Sequence, residues 1–380
     1  MTASTISDPP ATSIDDAIER IGLGRFQWSL LGINGLVWAA DAMEVLIVGF
    51  AIPSLQQGLA LDRAQAGLVG SIFFAGMLVG AWGFGALADR IGRRRILLAT
   101  VLLDAFFGLL SALSPNYGLL LLFRFLTGAA VGGTLPVDYA MIAEFLPRGA
   151  RGRFLVYLES FWALGTIMLA LLAWLIVPSL PDTGWRWLFA VAALPGLLSF
   201  VLRLWVPESP RYLLIEGRPD EAAEVLRRVA RINGRAITIG RLVPLRRSFV
   251  WPTAALLRSP LARRTLLLSI AWFCLSLGYY GVFVWLPGIF VGEGFGFVRG
   301  YGYLVLLALA QVPGYLLAAY WLERLGRRRT LARFLVGSAA GCMIFSLATT
   351  PSLIVAGGML LSFSLLGAWG ALYAYTPEVY

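Results

Sequence analysis

Gly85-Ala-Leu-Ala-Asp89-Arg90-Ile-Gly92-Arg93-Arg94-Arg95 has a second copy of its pattern in Ala319-Tyr-Trp-Leu-Glu323-Arg324-Leu-Gly326-Arg327-Arg328-Arg329. The step from Asp89 to Glu323 is 234 residues (323 − 89). The same step links Trp38 to Trp272, Pro53 to Pro287, Gly80 to Gly314 and Glu144 to Glu378. Anchors this widely spread at one offset mark a duplicated unit. Parallel repeats of this kind build membrane proteins from two bundles of helices.

The sequence around the two motifs fits that architecture. Of the 380 residues 59% are hydrophobic and only 14% charged, against about 25% charged in an ordinary soluble domain. The apolar residues fall into runs of roughly 20, the length a helix needs to cross a bilayer. Ten such spans are predicted, at 26–52, 64–88, 96–113, 117–145, 154–177, 185–206, 265–291, 301–322, 331–349 and 352–375. No ~10-residue alternating segments suggest a barrel. The expected fold is therefore all-α and integral to the membrane, with two pseudo-symmetric bundles of six and four helices.

The net charge is +10, with no histidine, and every basic residue is arginine. The arginines sit in loops between spans, so the charge is topological and no nucleic-acid partner is expected. One side collects 89–95, 148–153, 211–264 and 324–329 together with Arg20 and Arg25; the other has Arg63, Arg186 and Arg299. The arginine-rich side, with the N-terminus, is expected to be cytoplasmic, in the plasma membrane. Without histidine, any proton chemistry near neutral pH falls to Asp and Glu.

Residues 1–25 read as a tail with a short amphipathic helix lying on the membrane surface, its face formed by Ile14, Ala17, Ile18 and Ile21. Ser13 is placed to cap that helix. Residues 26–211 form the first bundle, 212–263 a polar loop with a helix over 219–231, and 264–380 the second bundle. Cys274 and Cys342 lie within spans, lack metal-ligand spacing and are expected to be small buried hydrophobes. No metal or cofactor is expected. The first repeat continues for two spans beyond Glu144, whereas the second stops just after Glu378. A complete second copy would reach about residue 445, so two helices of the twelve that two full copies would give are expected to be missing.

These motifs resemble the major facilitator superfamily. Gly85-x-x-x-Asp89-Arg90-x-Gly92-Arg93-Arg94 is similar to its signature between helices 2 and 3, and Arg124-x-x-x-Gly128-x-x-x-Gly132-Gly133 to one in helix 4. Glu144-x-x-Pro147-x-x-x-Arg151-Gly152-Arg153 and Pro207-Glu-Ser-Pro-Arg211 resemble its sugar-porter-like group. Trp38-Ala-Ala-Asp41-Ala-Met-Glu44, with Gly24-Arg25-Phe26-Gln27, is similar to the branch of niacin transporters, synaptic-vesicle-type proteins and organic-ion transporters. Sugar porters carry glutamine where this chain has Glu159, and a Gln-Gln pair where it has Leu277-Gly-Tyr279-Tyr280. Those departures point away from a sugar.

The resemblance implies a monomeric secondary transporter that moves a small organic solute, with protons, by alternating access. An aromatic or heterocyclic carboxylate such as nicotinate is the first candidate. Organic cations and sugars are alternatives, as are a non-transporting sensor and an inactive product. Clustered catalytic groups are absent, so no enzyme is expected.

A charge inside a span costs about 2.5–3.5 kcal/mol on insertion scales, so each needs a reason. Asp41 and Glu44, at i,i+3, share a face of the first span. With Arg124 as counter-charge and Asp138 as a second acid of the fourth span, they are the candidate proton-coupling set. The expected competition has ionised Asp41 holding Arg124; a fixed structural tie is the alternative. Asp104 is read as peripheral, and Arg203, near a span end, as snorkelling to the surface. Candidate substrate contacts are Asn34, Trp38, Glu159, Trp162, Tyr279, Tyr280, Gln311, Trp369 and Tyr373. The loop motifs, through Gly85, Asp89, Arg90, Gly92, Arg93, Arg94, Glu144, Arg151, Glu323, Arg324, Gly326, Arg327 and Glu378, are expected to latch the bundles together on the arginine-rich side.

Overall fold

The structure, a computed structural model, describes residues 12–245, 261–285 and 296–379, without the side chains of 296–299 and 377–379. Pro287 and the Glu378 side chain lie outside the described set. Among the described residues, ten helices are long and apolar enough to cross a membrane. In the first bundle they are α2 (Arg25–Leu59), α3 (Arg63–Ile91), α4 (Arg93–Ala112), α5 (Tyr117–Glu144), α6 (Arg148–Ile176) and α7 (Gly184–Arg203). In the second, with α8 (Pro210–Ile215) and α9 (Pro219–Ile232) lying between, they are α10 (Leu261–Phe283), α11 (Gly296–Leu325), α12 (Arg327–Leu347) and α13 (Pro351–Val379).

α2 runs through Pro53 to Leu59, a turn and more beyond the predicted end. Proline is tolerated there because neighbouring helices and side chains satisfy the freed backbone groups. Gly92 forces the sharp break between α3 and α4. Its φ is +113°, and a Cβ there would stand 2.6 Å from Glu208 Oε2, so only glycine fits. Gly326 has the matching role before α12, at φ +77°.

The repeat extends to individual contacts. α3 packs on α5 as α11 packs on α13, and α4 on α5 as α12 on α13. A Cβ on Gly80 would meet the Ala129 carbonyl oxygen, and one on Gly314 the Phe363 carbonyl oxygen; both partners also lie 234 residues apart. Gly128 lies against the Phe73 carbonyl, while Ser362, its repeat mate, donates to the Leu307 carbonyl at 2.7 Å. Small residues at these crossings let the helix backbones approach closely, the usual basis of packing in lipid.

The bundles touch on both sides of the membrane. On the arginine-poor side Tyr301 donates to the Phe50 carbonyl at 2.7 Å. On the arginine-rich side Arg153 of α6 faces Glu323 of α11 at 3.6 Å. Between these contacts α6 packs along α11 and α13.

Two expectations need correcting. α1 (Ile14–Ile21) forms, capped by Ser13 as predicted, but Ile14, Ala17, Ile18 and Ile21 are buried against protein. α9 (Pro219–Ile232), whose first-turn acids and terminal arginine match the predicted helix, packs against it. Asp15 binds Arg148 at 2.7 Å and also Arg211. Protein therefore covers the face that periodicity assigned to lipid. Cys274 and Cys342 are exposed. They line a groove of about 280 Å³ between α10, α12 and α13. Spans apolar all round do not mark which face turns inward.

Candidate functional site

The spans place two neighbouring sets of buried polar groups. The first is ionic and belongs to the first bundle. Arg124 of α5 donates to Glu44 of α2 at 2.7 Å, and its Nε donates to Ser111 at 3.2 Å. Its guanidinium lies over Phe189 at 4.6 Å and Phe73 at 5.4 Å, a stacked setting suited to arginine. Both charged side chains are fully buried. Gly108 of α4 makes room for Glu44, since a Cβ there would stand 2.9 Å from Glu44 Oε1.

Arg124 thus binds Glu44, not Asp41 as the sequence suggested. One turn of α2 separates the acids, and spacing alone does not say which carboxylate points at α5. Asp41 is 2% exposed. Its Oδ2 has no hydrogen-bond partner among the described residues, while Arg203 and Glu44 act on it through charge.

Arg203 corrects a second reading. It does not snorkel; it is buried and ion-paired to Asp138 of α5. The arginine stands at the last residue of α7, and α5 offers it a carboxylate closer than solvent. Asp104 of α4 corrects a third. It is 3% exposed rather than peripheral, within the charge fields of Glu44, Asp41 and Arg124. The sequence signal for both residues was their bare occurrence inside spans, where any ionisable group is a functional candidate.

The second set is aromatic and lies between the bundles. Trp162 Nε1 donates to the Tyr279 hydroxyl at 2.9 Å across the interface. Trp38 meets Trp162 and Tyr373, at 6.3 and 5.9 Å between ring centroids. Trp369 meets Tyr279 and Tyr280 at 5.6 and 5.8 Å. The structure therefore brings together all six predicted aromatics. It adds Trp272, which stacks edge-on against Tyr373 at 4.6 Å, and Tyr139, whose hydroxyl donates to the Tyr373 carbonyl at 3.1 Å. Trp272 and Tyr139 were discoverable as repeat mates of Trp38 and Tyr373. Tyr315, buried with an unpartnered hydroxyl, had no such signal.

Unpartnered polar atoms lie on the helices around this box. Asn34 and Gln311 are fully buried, with neither amide atom bonded among the described residues. Gln311 lies near the Tyr279 hydroxyl. Glu159, 1% exposed, has no partner for either oxygen, and Tyr139, Tyr280, Tyr315 and Tyr373 feel its charge. Buried polar groups are ordinarily satisfied, so this concentration describes a site equipped to bond something else. A cleft of about 620 Å³ between α3, α5, α10 and α13 reaches Tyr139, Trp272 and Tyr373.

The loop motifs form a third group. Glu144 pairs with Arg93 and accepts from the Ser209 hydroxyl, and Arg93 also lies 3.8 Å from Asp89. Arg94 donates to the Val206 and Leu204 carbonyls at 2.7 and 3.1 Å, while Glu208 accepts from the Arg94 backbone N–H at 3.0 Å. This network ties α3, α4, α5 and the end of α7 within one bundle. The Arg153–Glu323 pair and the approach of Arg327 to Gly152, 3.6 Å from a Cβ built there, cross to the other. Arg151 makes no ion pair with Glu144. Arg90 accepts the Tyr212 hydroxyl on its carbonyl at 3.3 Å, and Arg324 lies over Tyr320 at 4.6 Å. A Cβ on Gly85 meets nothing within 4 Å, so packing does not explain that glycine.

A sequence profile described as Major Facilitator Superfamily matches residues 31–380. Over 364 residues, 96% of this chain and 82% of the relative, the sequence is 40% identical to "Niacin transporter NiaP" of Acinetobacter baylyi. It is 34% identical to "Synaptic vesicle 2-related protein" of Pongo abelii over 97% of this chain and 70% of that one. Among solved structures, the partially occluded inward-open xylose transporter XylE from E. coli superposes with a TM-score of 0.75, covering 93% of this chain and 87% of that one at 17% identity. These relatives and this fold are those of transporters, not enzymes. Two bundles that repeat one pattern, with the family profile running through both, make this chain a multi-pass member of the major facilitator superfamily.

Proposed function

We propose that the chain is a proton-coupled symporter of a small aromatic or heterocyclic carboxylate, nicotinate first, in the plasma membrane with its N-terminus in the cytoplasm. It works as a monomer, rocking its bundles around the aromatic box. Substrate enters among Trp38, Trp162, Tyr279, Tyr280, Trp369 and Tyr373. Asn34, Glu159 and Gln311 supply hydrogen bonds.

The observation that carries the coupling is a mismatch of charge. Among the described residues, Asp41, Glu44, Asp104, Asp138 and Glu159 are buried beside only two buried arginines, Arg124 and Arg203. Those arginines are committed to Glu44 and Asp138. A buried carboxylate without a partner is strongly disfavoured, so Asp41 is placed to take and give a proton. Asp41 also lies one turn from Trp38, whose ring touches the box. Proton loading and substrate contact are therefore adjacent on α2. Asp104 lies in the fields of Arg124, Glu44 and Asp41. The 40%-identical niacin transporter supports the choice of substrate.

Purified protein in liposomes should accumulate labelled nicotinate when the source side is acid, and only equilibrate it without a gradient. Asp41→Asn should abolish accumulation while preserving exchange of internal for external substrate. Undiminished accumulation by that variant would sink the coupling role. A second reading, an organic cation, is favoured by the carboxyl of Glu159 among aromatic rings, a setting that also suits cations.

A further inference from the structure

We propose that Glu159 works as a neutral carboxylic acid in the binding site, donating its proton in a hydrogen bond to a substrate carboxylate. This rests on the symporter reading and names how the site would recognise its substrate.

The argument begins with what surrounds the side chain. Glu159 lies in α6, one turn from Trp162, and both its oxygens are buried and unpartnered. Titratable groups that act on or with it are Tyr139 of α5, Tyr280 of α10, Tyr315 of α11 and Tyr373 of α13. α2 brings Asp41, one turn from Trp38, and α7 brings Arg203, already paired with Asp138. α10, α11 and α13 present no buried Asp, Glu or Arg among the described residues. No buried arginine among the described residues is free to balance a charge on Glu159, and a carboxyl so placed avoids that cost by keeping its proton.

Charge balance then selects the ligand. A cation could pair with Glu159 only after the acid had lost its proton, so cation entry would expel a proton. A carboxylate needs no such step. The acid O–H donates to the ligand oxygen, the proton stays, and the pair is held by a charge-assisted hydrogen bond. Tyr315, the Asn34 amide and the Gln311 amide, all with unused donors, can complete the shell around the same anion. Glutamine at position 159 keeps an N–H donor and removes the ionisation; leucine removes both.

The test is equilibrium binding of labelled nicotinate to detergent-purified full chain across pH. Wild-type affinity should fall as pH rises, by up to about tenfold per unit once Glu159 ionises. Glu159→Gln should bind nicotinate at low pH about as well as wild type and keep that affinity as pH rises. Glu159→Leu should lose binding at every pH, and nicotinate should outcompete the N-methylnicotinamide cation. Loss of binding in Glu159→Gln, with wild type binding nicotinate, overturns the donor role and leaves the nicotinate reading intact. Preference of wild type for the cation, with proton release on binding, also overturns it without help from any variant. Wild type that binds nicotinate at no pH overturns the substrate reading itself, and this inference with it.

Discussion

Arg124 on α5 and Gly358 on α13 occupy the same step of the repeat, yet one is a buried cation bridging two helices and the other is bare backbone. The contrast holds at the four acids buried mid-span in α2, α4 and α5. Asp41 has Leu275 as its mate, Glu44 has Gly278, Asp104 has Ser338 and Asp138 has Leu372. The packing positions behave oppositely, with Gly80 and Gly314 meeting equivalent carbonyls. Helices of this repeat therefore pack without internal charge. The charges of the first bundle are additions to a fold that does not need them, and buried ion pairs are in any case weak contributors to stability.

The sharpest way to break this comparison is to remove the charges. Arg124→Leu alone should cost about 3–5 kcal/mol of stability, because it strands Glu44 in a dry interior. Glu44→Leu together with Arg124→Leu should recover most of that while leaving uptake uncoupled. Thermal melts followed by size-exclusion chromatography, paired with liposome uptake, would separate the two effects. A double variant no more stable than the single one would mean that the pair holds the bundle together.

Next come the shared crossings. Gly80→Val and Gly314→Val should each destabilise by about 1–3 kcal/mol or more, through overpacking against a backbone carbonyl. Similar melting losses in the two variants would show equal dependence on the repeat; a loss in only one would break the symmetry. A smaller effect is expected from Glu323→Ala. An exposed pair such as Arg153–Glu323 contributes about 0–1 kcal/mol, so melting should barely move. The arginine-rich side should open more often, as labelling of a cysteine introduced at Gly370 in a background lacking Cys274 and Cys342 would report.

The smallest effect concerns α1. Burial works against ionising Asp15, but the hydrogen bond from Arg148 and the charges of Arg211 and Arg148 hold its carboxyl below the usual value of 3.8. The ionised form is thus favoured in the folded state. Its stabilisation is fully present above 3.8 and is lost as pH falls through the lower folded value. Hydrogen exchange over 14–21 should speed up only in that acid window.

The sequence disclosed the spans, the duplication and the presence of intramembrane acids, because length, offset and charge are one-dimensional properties. It disclosed the aromatic box as a set of residues, since mid-span aromatics on neighbouring helices converge once the bundles close. Pairing was not legible. Choosing Glu44 over Asp41 for Arg124 depends on about one turn of rotation in α2, a helix apolar on every side. Arg203 and the cysteines were misread for the same reason: nothing in a uniformly apolar span marks which face turns inward. The amphipathic face of α1 was legible, but its partner, α9, lies about 200 residues away in sequence.

Tyr139 and Tyr373 meet each other, and they stand one full repeat apart. A position that touches its own mate lies at the pseudo-two-fold axis. In a symmetric pair of separate half-length chains the same position would touch its own copy, and any substitution would appear twice, face to face. Fusion into one polypeptide lifts that restriction. Both residues are still tyrosine, but one gives its hydroxyl and the other only a backbone carbonyl. At the axis, where two copies would be most constrained to match, the bonding is already unequal.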